Sequence, residues 1–486
     1  MRLEFERISS LPRLAWGARL RRNDPAVRIL HGPWLETRDD CFFEGAWDGP
    51  LRDYRFDQAI TFAGSGGRLT GDAILFAAPS HTFQMLYSLP TGEERFVSNS
   101  LAFLLALSGE RLDPTHRHYY LDFVNYNHAG ISVTAKRLRL AGPRFVELYD
   151  CCNLAVQPDL TASRLEKSLG PPPRDFSEYA SFLLGTAERV FANANDVVRQ
   201  WVYRPVTCLS QGYDTTAVSA LAAKAGCREA VSFRKSNSKS GYADDSGSKI
   251  APYLGLHLTE YERTDYDRLA ETRDYEFYME PGGVDRSMVL MEQQLAGALL
   301  LTGRFGERLW EREWWTRLGL AGDAGHPLFQ MPTGFKLGGC ALGEFRMKTG
   351  FIHFPLACSG GLHAPAIKTI TYSRAMKPWS VGGSYDRPIA RRIAEEAGVP
   401  RHLFGQVKKG GGPRRSGRRR RSWIGRVIYS LWLASYWPPV RVLILRMTGN
   451  RLNPAWRRGS FGVQRGVERM TQDYLSAISG TKGAAG

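Results

Sequence analysis

The chain has 486 residues, 43% of them hydrophobic and 12% aromatic, which is enough apolar material for a packed core and excludes global disorder. Its net charge of +17 is concentrated in one segment: residues 408–469 hold sixteen lysines and arginines against a single acid, Glu468, and so carry +15 of it. Any contact with nucleic acid or an anionic membrane therefore belongs to the C-terminal part and not to the whole surface.

At roughly 100–200 residues per domain the length predicts two or three domains. The first, 1–170, reads as β-rich. Short β-prone runs at 58–62, 73–77, 82–88 and 145–148 are separated by turn signals, among them GSGG at 64–67. Residues 101–107 form a short apolar helix that Ser98 or Ser100 is placed to cap. Three prolines at 171–173 read as a linker.

Beyond the linker the pattern alternates. Helical period at 177–198 precedes a buried strand at 205–209 and an Ala-rich helix at 215–226 closed by glycine. A strand at 229–233, a helix at 245–254 and a strand at 257–261 follow, and residues 293–301 run from helix into strand. This order predicts a parallel α/β sheet over 171–412. The remainder, 413–486, is a basic extension with apolar pieces at 423–433 and 440–445 and a disordered end, SGTKGAAG.

The seven cysteines include no CxxC pair, which argues against a disulfide framework or a structural zinc. No secretory signal and no run of about 18 apolar residues is expected, so the predicted location is cytoplasmic or peripheral at a membrane. His257 and His353 read as structural, because no partner stands at metal-ligand spacing.

One segment carries chemistry. The strand at 205–209 runs into Ser210, Gln211, Gly212, Tyr213, Asp214, Thr215 and Thr216, and a helix follows. The chain turns at Gly212, so the first helical N–H groups point above the sheet, where they suit an anion. Asp214 repels phosphate unless it holds a Mg²⁺ that bridges to it. The heptapeptide also fits an ordinary strand-to-helix turn with Ser210 as cap.

This stretch resembles the SGGxDS loop of the ATP-pyrophosphatase superfamily, and the downstream sequence is similar to its asparagine synthetase branch. SFRKSNSKSGYADDSGSKIAPYLGLHLTEY resembles the family's second strand, acidic loop and helix, which implies that Val231, Ser232 and Phe233 lie beside adenine and ribose. LLTGRFGERLWERE resembles the SGxGxDE loop, implying Gly303 near the α-phosphate and Glu307 as a metal-binding acid. YDRPIARRIAEEAGVPRHLFGQVKKGG resembles the C-terminal helices that offer a lysine to pyrophosphate, here Lys408 or Lys409. Asp214, Lys408 and Lys409 are thus the implied catalytic residues.

HTFQMLYSLPTGEERFVSNSLAFLLAL is similar to the end of the family's glutaminase domain, an Ntn-type fold. That activity needs a cysteine at position 2; Arg2 stands there, so glutamine hydrolysis is expected to be absent. Gln211 in place of a loop glycine and Arg308 in place of an acid also depart from the family pattern. Taken alone, Glu307 also suits a solvated surface, and Lys408 and Lys409 also open the basic run.

The expected fold is a parallel-sheet, HUP-like ATP-pyrophosphatase domain preceded by a β-rich Ntn-like domain. The expected function is ATP-dependent amide formation through adenylation of a small-molecule carboxylate, with an amine or ammonia as second substrate and ATP and Mg²⁺ as cofactors. Two alternatives stand beside it. One is a nucleotide-binding scaffold without catalysis, motivated by Gln211 and Arg308. The other is an RNA-modifying relative, motivated by the basic tail.

Overall fold

Short strands dominate the first third of the chain because β-branched, aromatic and glycine residues recur there between turn signals. A computed structural model describes residues 1–116, 119, 122–123, 136–235, 244–269, 271, 273–279, 285–312, 342–382, 385–407 and 454–482. The expected lysines Lys408 and Lys409, and the apolar pieces at 423–433 and 440–445, lie outside the described residues.

Thirteen strands are described up to residue 166: β1 (Arg2–Arg7), β2 (Trp16–Arg21), β3 (Ala26–His31), β4 (Glu36–Thr37), β5 (Cys41–Trp47), β6 (Phe62–Thr70), β7 (Ala73–Ala77), β8 (Leu86–Pro90), β9 (Glu94–Ser98), β10 (Lys136–Arg139), β11 (Phe145–Tyr149), β12 (Cys152–Val156) and β13 (Ala162–Glu166). They form a seven-stranded sheet, β1-β3-β2-β9-β8-β11-β10, and a six-stranded antiparallel sheet, β13-β12-β7-β6-β5-β4. Only the β1–β3 pairing in the first is parallel. Trp16 from the first sheet meets Phe42 and Phe76 from the second, at ring-centroid distances of 5.0 and 5.9 Å.

Three sequence expectations change here: the run at 58–62 becomes strand only at Phe62, where β6 begins. GSGG is not a turn: it lies inside β6, where Gly64 pairs with Gly45. A Cβ on Gly64 would stand 2.1 Å from the Glu44 carbonyl oxygen, so the glycines permit a close approach of two strands. The run at 82–88 becomes a strand only from Leu86. Helix α1 (Leu101–Ser108) follows β9, and its cap is Ser100, whose Oγ accepts from Phe103 N at 3.1 Å.

The second unit starts at helix α2 (Phe176–Ala194), capped by Asp175, and contains β14 (Arg204–Cys208), helix α3 (Tyr213–Lys224), β15 (Glu229–Phe233), β16 (His257–Tyr261), β17 (Ala298–Leu301) and β18 (Ile352–Phe354). These five strands pair in parallel in the order β16-β15-β14-β17-β18. The connections reverse direction between β14 and β17, and in such sheets ligands occupy the crevice beyond the carboxyl ends of those two strands. The protein is therefore mixed α/β, with one parallel sheet and two largely antiparallel ones. Instead of the helix expected at 245–254, only Ala251–Leu254 is helical, because Ser246 forms a bridge with Ser210.

Three further helices matter below: α4 (Gly343–Thr349), α5 (Pro388–Glu396) and α6 (Pro454–Lys482). Helix α6 corrects the expectation of disorder over 479–482. Val463, Val467, Met470 and Tyr474 recur at helical spacing and are buried against α1, and Tyr474 stacks on Phe103 with ring centroids 4.7 Å apart. Among the described residues no helix is long and apolar enough to cross a membrane.

Candidate functional site

Strand β14 delivers the loop 209–212 to the crevice, and α3 starts at Tyr213 with Gly212 as its cap residue. The loop is held from several sides. Gln211 N donates to Asp245 O at 3.2 Å, and Gly405 N donates to Gln211 O at 2.8 Å. The Gln211 side chain turns outward and donates to Asp244 Oδ2 at 3.1 Å. It is therefore engaged with the acidic loop rather than folded over the α3 start.

The three hydroxyls tie the turn together. Ser210 Oγ lies 2.8 Å from Thr215 Oγ1 and accepts from Gly212 N at 3.2 Å. Thr216 Oγ1 is buried and donates to the carbonyls of Ser210 and Gly212, at 3.0 and 2.8 Å. The backbone N–H groups of Tyr213, Asp214 and Thr215 have no acceptor within the helix, as in any first helical turn. Tyr213 N stands 3.5 Å from the Tyr385 hydroxyl.

The turn after β17 closes on this helix start. A Cβ on Gly303 would lie 2.6 Å from Asp214 C and 2.7 Å from Thr215 N, and one on Gly306 would lie 2.5 Å from Asp214 Oδ1. Only glycine fits at either place. Between them Phe305 takes a left-handed conformation (φ 71°), which strains a non-glycine residue by about 1–2 kcal/mol. Its buried ring packs 4.6 Å from Phe83 of the β-rich unit, and this packing holds the strained turn in place.

Arginines dominate the remaining wall. Arg387, 3% exposed, pairs with Asp214 Oδ2 and makes a two-pronged contact with Glu311 Oε2, at 2.8 and 3.3 Å. Arg304 pairs with Asp285, and Arg391 donates to the Tyr213 hydroxyl. Burial pushes the Asp214 carboxyl up, to about 7; Arg387 pulls against this, while Glu307 and Glu311 push the same way. A carboxyl whose folded pKa lies above its unfolded value stabilises the fold at acid pH and loses that contribution as pH rises through the folded value. Wild type is therefore expected to lose stability relative to Asp214→Asn between about pH 4 and 7. Urea midpoints of the two proteins at both ends of that window test this; a constant difference would refute it.

The expected site residues thus separate. Ser210, Gln211, Gly212, Tyr213, Asp214, Thr215, Thr216 and Gly303 come together around the α3 start, with Glu307 on the adjoining turn. Val231 is fully built into the sheet core and its carbonyl accepts from Leu209 N. Ser232 Oγ accepts from Gly247 N at 3.2 Å, and Phe233 is covered by the Arg263 guanidinium 3.9 Å from its ring. The Arg308 side chain lies outside the described residues. Arg387, Glu311, Tyr385 and Gly306 were not singled out from sequence. Arg387 reaches the site because α5, which Pro388 opens, packs on α3.

The N–H groups of Asp214 and Thr215, which have no acceptor within the helix, make this helix start suited to an anion. Mg²⁺ does not fit as arranged. One Asp214 oxygen is taken by Arg387, the other has no hydrogen-bond partner and faces Gly306, and no metal-ligating cluster of three acids, histidines or thiols occurs among the described residues.

No protein-family model matches this sequence, and no curated protein matches it significantly.

Proposed function

We propose that this chain is an asparagine synthetase-like member of the ATP-pyrophosphatase superfamily that activates a carboxylate with ATP. The observation that carries this reading is the loop 210–216 at the reversal point of a parallel sheet ordered β16-β15-β14-β17-β18, with Gly303 pressed on the helix start. That strand order supports a HUP-like domain, and the two stacked sheets support an Ntn-like domain before it. In this reading the nucleotide phosphates lie on the N–H groups of α3. A substrate carboxylate oxygen attacks the α-phosphorus and pyrophosphate leaves; an amine then displaces AMP to give the amide. Lys408 or Lys409 offsets charge on the leaving pyrophosphate. The chain just before them is anchored to the loop through Gly405.

The test is exchange of labelled pyrophosphate into ATP across a panel of carboxylates. Carboxylate-dependent exchange by wild type that a Lys408→Ala/Lys409→Ala variant loses by about tenfold or more is expected. ATP binding with no exchange favours the second reading, a nucleotide-binding protein without ligase chemistry. The Arg387–Asp214 pair favours that second reading, because it occupies the carboxylate expected to serve a metal. A phosphate-binding role for the tail toward nucleic acid or an anionic membrane is tested by comparing a chain ending at residue 412 with the full chain.

A further inference from the structure

In the candidate site a carboxylate stands beside the helix start that is suited to phosphate, and its counter-ion is already present. Resting on the nucleotide reading above, we propose that Arg387 takes the place of a metal ion at this loop, its guanidinium compensating Asp214 so that a polyphosphate binds the α3 start without a protein-bound dication.

The cation is fixed in place. Asp386, fully buried, accepts from Ser380 Oγ at 2.5 Å, Val381 N at 3.1 Å and Gly382 N at 3.2 Å, and this anchors the backbone next to Arg387. Pro388 then opens α5, which packs along α3, the same helix that carries Asp214. The Tyr385 ring lies 5.0 Å from the guanidinium, and Glu311 holds its far edge in two-pronged geometry. A guanidinium is charged at every accessible pH and its planar fork matches carboxylates.

Mg²⁺ fills most of its octahedral shell with waters and substrate phosphates and takes one or two carboxylates from the protein. Asp214 offers only Oδ1, and an adjacent fixed cation repels the ion. Conversely, without Arg387 a polyphosphate would bind beside a buried carboxyl that must either stay anionic with no counter-ion or take up a proton. Arg387 is therefore a positioning residue: at 3% exposed it acts on the ligand through Asp214 rather than by contact.

Calorimetric titration of the full chain with ATP, in excess MgCl₂ and in excess EDTA, tests this. Wild-type affinity is expected to agree within about threefold between the two conditions. Arg387→Met is expected to lose about tenfold or more in EDTA and to recover most of it with Mg²⁺, because the vacated position can then take a metal. The double variant Asp214→Asn/Arg387→Met, with both charges removed, is expected to bind in EDTA again. Wild-type binding that falls tenfold or more in EDTA overturns the assignment, as does a single variant that binds ATP equally well in both conditions. If Arg387→Met does not fold, the wild-type comparison and the double variant still decide. Absence of ATP binding by wild type in both conditions overturns the nucleotide reading together with this one, whereas Mg²⁺-dependent binding overturns this one alone.

Discussion

Arg346→Met is expected to cost about 3–5 kcal/mol of folding stability, the range for removing one partner of a buried ion pair. Arg346 on α4 belongs to the second unit, and its guanidinium reaches Glu44 on β5 of the first, with contacts of 2.6 and 2.9 Å. Both side chains are essentially inaccessible, at 2% and 0% exposure. Glu44 also accepts from Ser65 Oγ at 2.7 Å, and that hydroxyl accepts from Trp16 Nε1 at 2.9 Å. The pair thus ends a polar chain that runs through the interior between the two sheets. Methionine keeps most of the volume but leaves a carboxylate buried without its cation. Urea denaturation followed by tryptophan fluorescence measures the loss. Glu44→Gln/Arg346→Met should be less destabilised than the sum of the two single variants, since the first change removes the charge that the second strands. Simple additivity would show that the pair does not join the units energetically.

Gly303→Ala is expected to weaken ATP binding by about tenfold or more while costing about 1–3 kcal/mol in stability, the range for overpacking. The added methyl would meet backbone atoms of Asp214 and Thr215, which have no rotamer to escape into. The helix start must shift, and with it the N–H groups offered to phosphate. Gly306→Ala differs in kind, because its methyl meets the Asp214 carboxylate and disturbs the contact with Arg387. Titration with ATP distinguishes them: Gly303→Ala should lose affinity in both MgCl₂ and EDTA, and unchanged affinity would detach the turn after β17 from nucleotide binding.

Local pattern made the elements of the second unit legible. The apolar runs of β14, β15, β16 and β17, and the Ala-rich α3, are signals carried within a few residues. The loop at 210–216 was legible for the same reason, as its turn, hydroxyls and helix start are contiguous. What escaped depends on distant partners. GSGG looks like a turn until β5 lies beside it, since close strand approach and chain reversal both call for glycine. Residues 245–250 (DSGSKI) hold four poor helix formers, Asp245, Ser246, Gly247 and Ser248, and Ser246 is drawn into a bridge with Ser210. Arg387 is one basic residue among many in sequence; only the packing of α5 on α3 brings it 173 positions back to Asp214.

Helix α6 has a consequence for how the molecule is made. Its residues cover the outer side of α1, and Ser10 Oγ donates to Ala477 O across 467 positions. A ribosome working at about 5–20 residues per second needs some 20–75 s to travel from Phe103 to Tyr474. During that time the nascent β-rich unit carries an unsheathed apolar helix. Such an intermediate is a natural client for chaperones that bind emerging chains, and an early stop codon that removes α6 would produce a protein that emerges in full yet clumps rather than merely one that lacks a tail.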